Sequence, residues 1–141
     1  MIRKFIFPLL IIFILGCVER QNPNIIRLVS LLHDDSSKVW LVESEKINDQ
    51  EYASKNINFK TVIVFYNDLT FSEQPLNEIG NKPPKYGIIE IKNELNAINF
   101  TYSQKTTTYK IEKFTKDEVV LSSTKGEKNK TILKLISLPK L

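Results

Sequence analysis

The sequence predicts an all-β fold: an antiparallel up-and-down barrel of about eight short strands, preceded by one short N-terminal helix. Three observations carry this. From Lys38 onward the chain is a succession of short strand-like runs separated by polar turn residues. Inside those runs large apolar side chains recur at every second position, as with Trp40 and Val42, with Ile98, Phe100 and Tyr102, and with Tyr109 and Ile111. Between the runs, no stretch has the length and period of the crossover helix that a parallel sheet requires. Closure removes the unpaired edges of a sheet, which favours a barrel. A two-sheet β-sandwich is the alternative arrangement of the same strands.

The chain opens with Arg3 and Lys4, and from Phe5 to Leu15 it carries no polar side chain. A basic start followed by an apolar run of about eleven residues is the pattern of an export signal. The run falls short of the ~20 residues that cross a bilayer core, and Pro8 removes a backbone donor early in it. It closes on Ile14-Leu15-Gly16-Cys17, which resembles the lipobox of bacterial lipoproteins. That resemblance implies a signal peptide over residues 1–16 and cleavage before Cys17, whose thiol carries acyl chains. Each buried methylene contributes roughly 0.8 kcal/mol, so two or three chains anchor the protein without spanning the membrane. The expected location is the cell envelope, and within it the outer membrane. Loss of 16 of the 141 residues leaves 125, enough to bury a core without disulfides.

The formal charge of +4 shrinks with the signal. Without Arg3 and Lys4, 18 basic side chains face 16 acidic ones, and the two signs are interspersed. The basic residues are almost all Lys, a poorer bidentate reader of phosphates and bases than Arg. Nucleic acid is therefore not an expected partner. Length indicates a single domain, residues 25–141, tethered by residues 17–24.

Asn24 is placed to cap a helix over 25–32, in which Ile25, Leu28, Val29 and Leu32 share one face. Asp34-Asp35-Ser36-Ser37 stops it. Strands are expected near 38–45, 59–66, 70–73, 86–92, 96–102, 107–113, 118–123 and 131–138. The turns between them are Asn67-Asp68, Asn93-Glu94, Lys116-Asp117 and the run 125–128, with Pro83-Pro84 in a longer loop.

"LLHDDSSKVWLVE", from Leu31, resembles the opening of small bacterial lipocalin-like lipoproteins, where a short helix and a polar segment lead to a Trp at the start of the first strand. "VFYNDLTF", from Val64, is similar to their next hairpin. "YGIIEIKNELNAINF", from Tyr86, and "YKIEKFTKDEVVLSS", from Tyr109, fit their later strand pairs. Lys38 stands where classical lipocalins carry a glycine two residues before that Trp. The resemblance implies a calycin-like barrel with its first strand packed over the N-terminal helix; it transfers no binding residue.

Catalytic chemistry has little to stand on, and the expectation is a non-enzymatic protein without metal or cofactor. His33 is the only histidine, and it is expected to be a surface residue at a helix end. There is no Gly-x-Ser-x-Gly elbow and no glycine-rich phosphate cradle, and zinc or copper would need more His or Cys ligands. Asp34-Asp35 reads as a solvated turn. Glu43 with Glu45, and Glu90, Lys92 and Glu94, read as solvent-facing positions of strands.

Two functional classes follow. In the first, the barrel holds a small hydrophobic ligand, with Trp40, Phe65, Phe100, Tyr102 and Tyr109 as the candidate residues and a dry cavity ringed by Phe65, Phe100 and Tyr102. Its counter-expectation is an interior filled by side chains, with Trp40 as a plug, since eight strands enclose little more than that. In the second, the protein is an accessory or inhibitor that binds another envelope protein through Tyr66, Tyr86 and the loop 76–84. The resemblance favours the first.

Overall fold

A computed structural model describes residues 23–92, 96–124 and 129–138 of the chain. The expected signal peptide with Cys17, most of the expected tether, and the turns expected at Asn93-Glu94 and 125–128 lie outside the described residues.

The described chain is one helix, α1 (Pro23–His33), followed by β1 (Ser37–Ile47), β2 (Gln50–Glu51), β3 (Thr61–Tyr66), β4 (Thr70–Pro75), β5 (Lys85–Lys92), β6 (Ala97–Tyr102), β7 (Lys105–Phe114), β8 (Glu118–Thr124) and β9 (Lys130–Ser137). Single 3-10 turns at Ile57–Phe59 and Leu76–Glu78 interrupt the two longest connections. Every pairing is antiparallel, β3 pairs with β1, each strand from β4 to β9 pairs with its predecessor, and β9 returns to β1. The result is a closed barrel of eight strands, compatible with a calycin-like fold, with β2 as a short extra strand on the end of β1. The β1–β9 pairing leaves no open edge for a sandwich.

Boundaries differ from expectation at the N-terminal side. The helix begins at Pro23, whose fixed φ suits a first turn, so Asn24 lies inside it rather than capping it. The expected start of a strand at Phe59 is a 3-10 turn instead, and β3 begins at Thr61. Asp34 and Asp35 end the helix by taking φ of 51° and 66°. Short polar side chains tolerate that left-handed backbone better than most, and the chain reverses into β1.

Helix and barrel are joined at what is here the closed end. Leu32 is buried in the barrel core, and the indole Nε1 of Trp40 donates to its carbonyl at 2.9 Å. The Lys38 ammonium lies 4.6 Å from the centroid of the Trp40 ring and donates to the carbonyl of Lys116 in the β7–β8 turn. One lysine thereby ties β1 to that turn. His33 is buried rather than a surface residue, and its Nδ1 has no hydrogen-bond partner among the described residues.

Above Trp40 the interior is aromatic. Phe71 meets Phe100 and Tyr102 edge to face, with ring centroids 5.1 and 4.8 Å apart, and Phe65 packs 6.1 and 5.9 Å from Phe71 and Phe100. Gly87 on β5 makes room for this cluster. A Cβ there would come within 2.6 Å of the Phe71 ring and of the Thr101 carbonyl.

Candidate functional site

Inward positions change character along the barrel axis. On β3, Phe65 and Ile63 give way to Thr61 away from the helix; on β4, Phe71 gives way to Glu73; on β6, Phe100 to Tyr102; on β7, Ile111 to Tyr109 and then Thr107. In each strand the side chain near the helix is apolar or aromatic and its successor toward the other end carries a hydroxyl or carboxylate. The helix-capped half of the barrel is filled. The other half holds a cavity of about 210 Å³.

Its floor is Val42, Ile63, Phe100 and Leu133, and its walls are Glu45, Thr61, Glu73, Tyr102, Thr107 and Tyr109. Glu45 reaches it through a β-bulge. The register of β1 against β9 slips between Val42 and Ser44, so Val42 opposite Leu135 and Glu45 opposite Leu133 both face inward. Glu43, the extra residue, pairs instead with Lys134 at 2.8 Å. The expectation that Glu43 and Glu45 share a solvent face is therefore corrected: an inserted residue inverts the parity of everything beyond it. Glu90 and Lys92 are ion-paired at 2.5 Å on the outside of the barrel, and Glu94 lies outside the described residues.

Glu73 feels both its burial and the Glu45 charge. Burial pushes the Glu73 carboxyl above the ordinary range; the Lys85 ammonium opposes the rise and the Glu45 charge adds to it. The Tyr102 hydroxyl donates to Glu73. Burial also raises the Tyr109 hydroxyl, and Glu45 and then Glu73 add to that rise. Tyr109 stands edge to face with Phe100 at 5.4 Å. The rim beside Glu45 is fastened by Glu51, whose carboxylate accepts from Ser44 Oγ at 2.5 Å and from the backbone amides of Glu45 and Ala53 at 2.8 and 3.0 Å.

Of the five aromatic residues expected at a binding site, the structure brings Phe100, Tyr102 and Tyr109 to the cavity. Trp40 and Phe65 are fully buried in the filled half, Trp40 under the helix. Phe65 therefore does not ring the cavity, and the walls are polar where a dry site was expected. Glu73 carried a readable signal, standing two residues after Phe71 in a strand, as Tyr102 does after Phe100. Glu45 had none, because the bulge has no signature in the local sequence.

The loop surface is separate from the cavity lining. Tyr86 and Ile79 are exposed, while Tyr66 is half-buried with its hydroxyl 3.2 Å from Ser72 Oγ. Ile57, Phe59 and Ile79 are exposed on two adjoining turns. Among the described residues no group of three or more His, Cys, Asp or Glu side chains has the arrangement of a metal site.

No protein-family model, no curated protein and no solved structure matches this chain.

Proposed function

We propose that this chain is a lipocalin-like lipoprotein of the bacterial cell envelope, anchored in the outer membrane by acyl chains on Cys17, and that it binds a small molecule inside its barrel. The observation that carries the binding half is the cavity itself. A closed barrel that could have been filled is filled only on the helix side, and convergent polar groups stand above an apolar floor on the other. The ligand is small. A volume of about 210 Å³ is below the roughly 300–1,000 Å³ of drug-sized sites, and it excludes a long acyl chain. Its apolar part rests on Val42, Ile63 and Leu133. The function is binding rather than turnover, with no cofactor. The anchor half rests on the lipobox-like Ile14-Leu15-Gly16-Cys17 behind its apolar run.

A second reading is supported by the exposed Ile57, Phe59 and Ile79 on the rim turns, which would suit an accessory protein docking on another envelope protein. The cavity is the more developed feature, and the first reading is preferred.

Both halves are tested by Cys17→Ser in whole cells. The expected outcome is loss of acyl labelling and release from the membrane fraction, with the released chain still yielding a small molecule on denaturation. Unchanged fractionation contradicts the anchor; a correctly folded chain that yields no small molecule contradicts the binding.

A further inference from the structure

The polar half of the cavity is one-sided in charge. It presents two carboxylates, Glu45 and Glu73, and among the described residues no basic side chain lines it. The cation acting on Glu73 is Lys85, its partner in the β4–β5 register and so on the same face of the sheet, an exposed residue at the start of β5 that is not part of the cavity lining. From the geometry of this cavity we infer that its ligand is an organic cation, a small primary amine on a short apolar or aromatic body. The inference rests on the binding-barrel reading above and specifies what that barrel selects.

The argument is one of desolvation. A ligand that fills the cavity strips water from both carboxylates, and a buried charge without a partner is costly. A neutral apolar ligand offers no compensation, and an anionic one adds a third negative charge. An ammonium group compensates with three N–H donors, which is a charge-assisted pairing. The remaining walls suit the same guest. The hydroxyls of Thr61, Thr107 and Tyr109 can accept from the ammonium, and the faces of aromatic rings attract cations. Tyr102 already donates to Glu73, which holds that carboxylate in place.

The apolar floor gives the other half of the specification. A bare inorganic cation would leave it facing water, whereas an amine on a phenyl or short alkyl body covers it while its head meets the carboxylates. At roughly 30 Å³ per water molecule the cavity holds about seven waters, which limits the body to about a single ring with a short spacer.

The test is calorimetric titration of the full chain in detergent with three probes of one shape: 2-phenylethylamine, 2-phenylethanol and 3-phenylpropionate. The expected result is that the amine binds at least tenfold more tightly than the alcohol and that the carboxylate does not bind. In a Glu45→Gln, Glu73→Gln chain that preference for the amine over the alcohol falls to within threefold. The Gln substitutions keep shape and remove only charge, and each single variant is measured beside the double one. If alcohol or carboxylate binds the wild-type chain as well as the amine does, the inference is overturned and the binding barrel stands. If no probe binds, the inference is overturned, and the binding barrel falls with it only if the folded chain also yields no small molecule on denaturation.

Discussion

Glu73 is the residue on which most of the chemistry turns. It follows Phe71 on the same inward face, so it is held where its charge is least welcome, and burial raises its carboxyl above the ordinary range. A carboxyl raised in the folded state binds its proton more tightly there than in the unfolded chain. Its favourable contribution is therefore present below the unfolded pKa and is lost as pH rises through the folded one. Gln cannot titrate. Glu73→Gln is expected to equal the wild type in stability near pH 4 and to exceed it by several degrees in Tm near pH 7, as read by thermal unfolding at both values. Equal stability of the two proteins at neutral pH would place Glu73 in solvent. The carboxylates on the outside behave in the opposite sense: Glu51, held by Ser44 and two amides, is lowered, and its contribution is lost only as pH falls through its depressed pKa.

At the scale of elements, the helix and β1 form one unit through Trp40. The indole N–H reaches the carbonyl of Leu32 across the closed end, and the Leu32 side chain fills the core beside it. Trp40→Phe keeps an aromatic ring but orphans that carbonyl and leaves a gap. The expected cost is about 1–3 kcal/mol in denaturant unfolding, with lost amide protection concentrated in Pro23–His33. An unchanged unfolding midpoint would show that the helix does not depend on this bond. The elements also mark how far sequence alone reaches. Strands β3 to β9 were legible because alternating apolar residues and polar turns are local signals, and the helix because its apolar stripe is. The bulge at Glu43 was not legible. Nothing in "VESE" distinguishes an inserted residue from an ordinary alternation, since the slip is defined by the partner strand β9. The inward turn of Glu45, and with it half of the charge in the cavity, follows from that slip. His33 was misplaced for a related reason: a polar residue at a helix end reads as exposed, and its burial depends on tertiary packing that the local sequence does not carry.

At the scale of the whole molecule, the barrel divides its interior into two unequal tasks. The helix-capped half, from Leu32 through Trp40, Phe65, Phe71 and Phe100, is close-packed and supplies stability. The opposite half gives up packing to keep a cavity with two carboxylates inside it. That arrangement costs stability, because cavity and buried charge are each destabilising, and a ligand recovers part of the cost on binding. Strand number and the lack of crossovers favoured closure of the sheet over a sandwich, and the β1–β9 pairing decides between them. The division of the interior was not, because which aromatics fill and which line depends on the height of each strand along the axis, which only register sets. The most direct measurement is native mass spectrometry of the full chain taken gently from a bacterial envelope in detergent, beside a Thr107→Trp variant whose indole fills the cavity. A stoichiometric small adduct on the wild-type chain, lost on denaturation and missing from the folded variant, is the expected result. A bare wild-type chain, or an adduct that persists when the cavity is filled, would contradict the account.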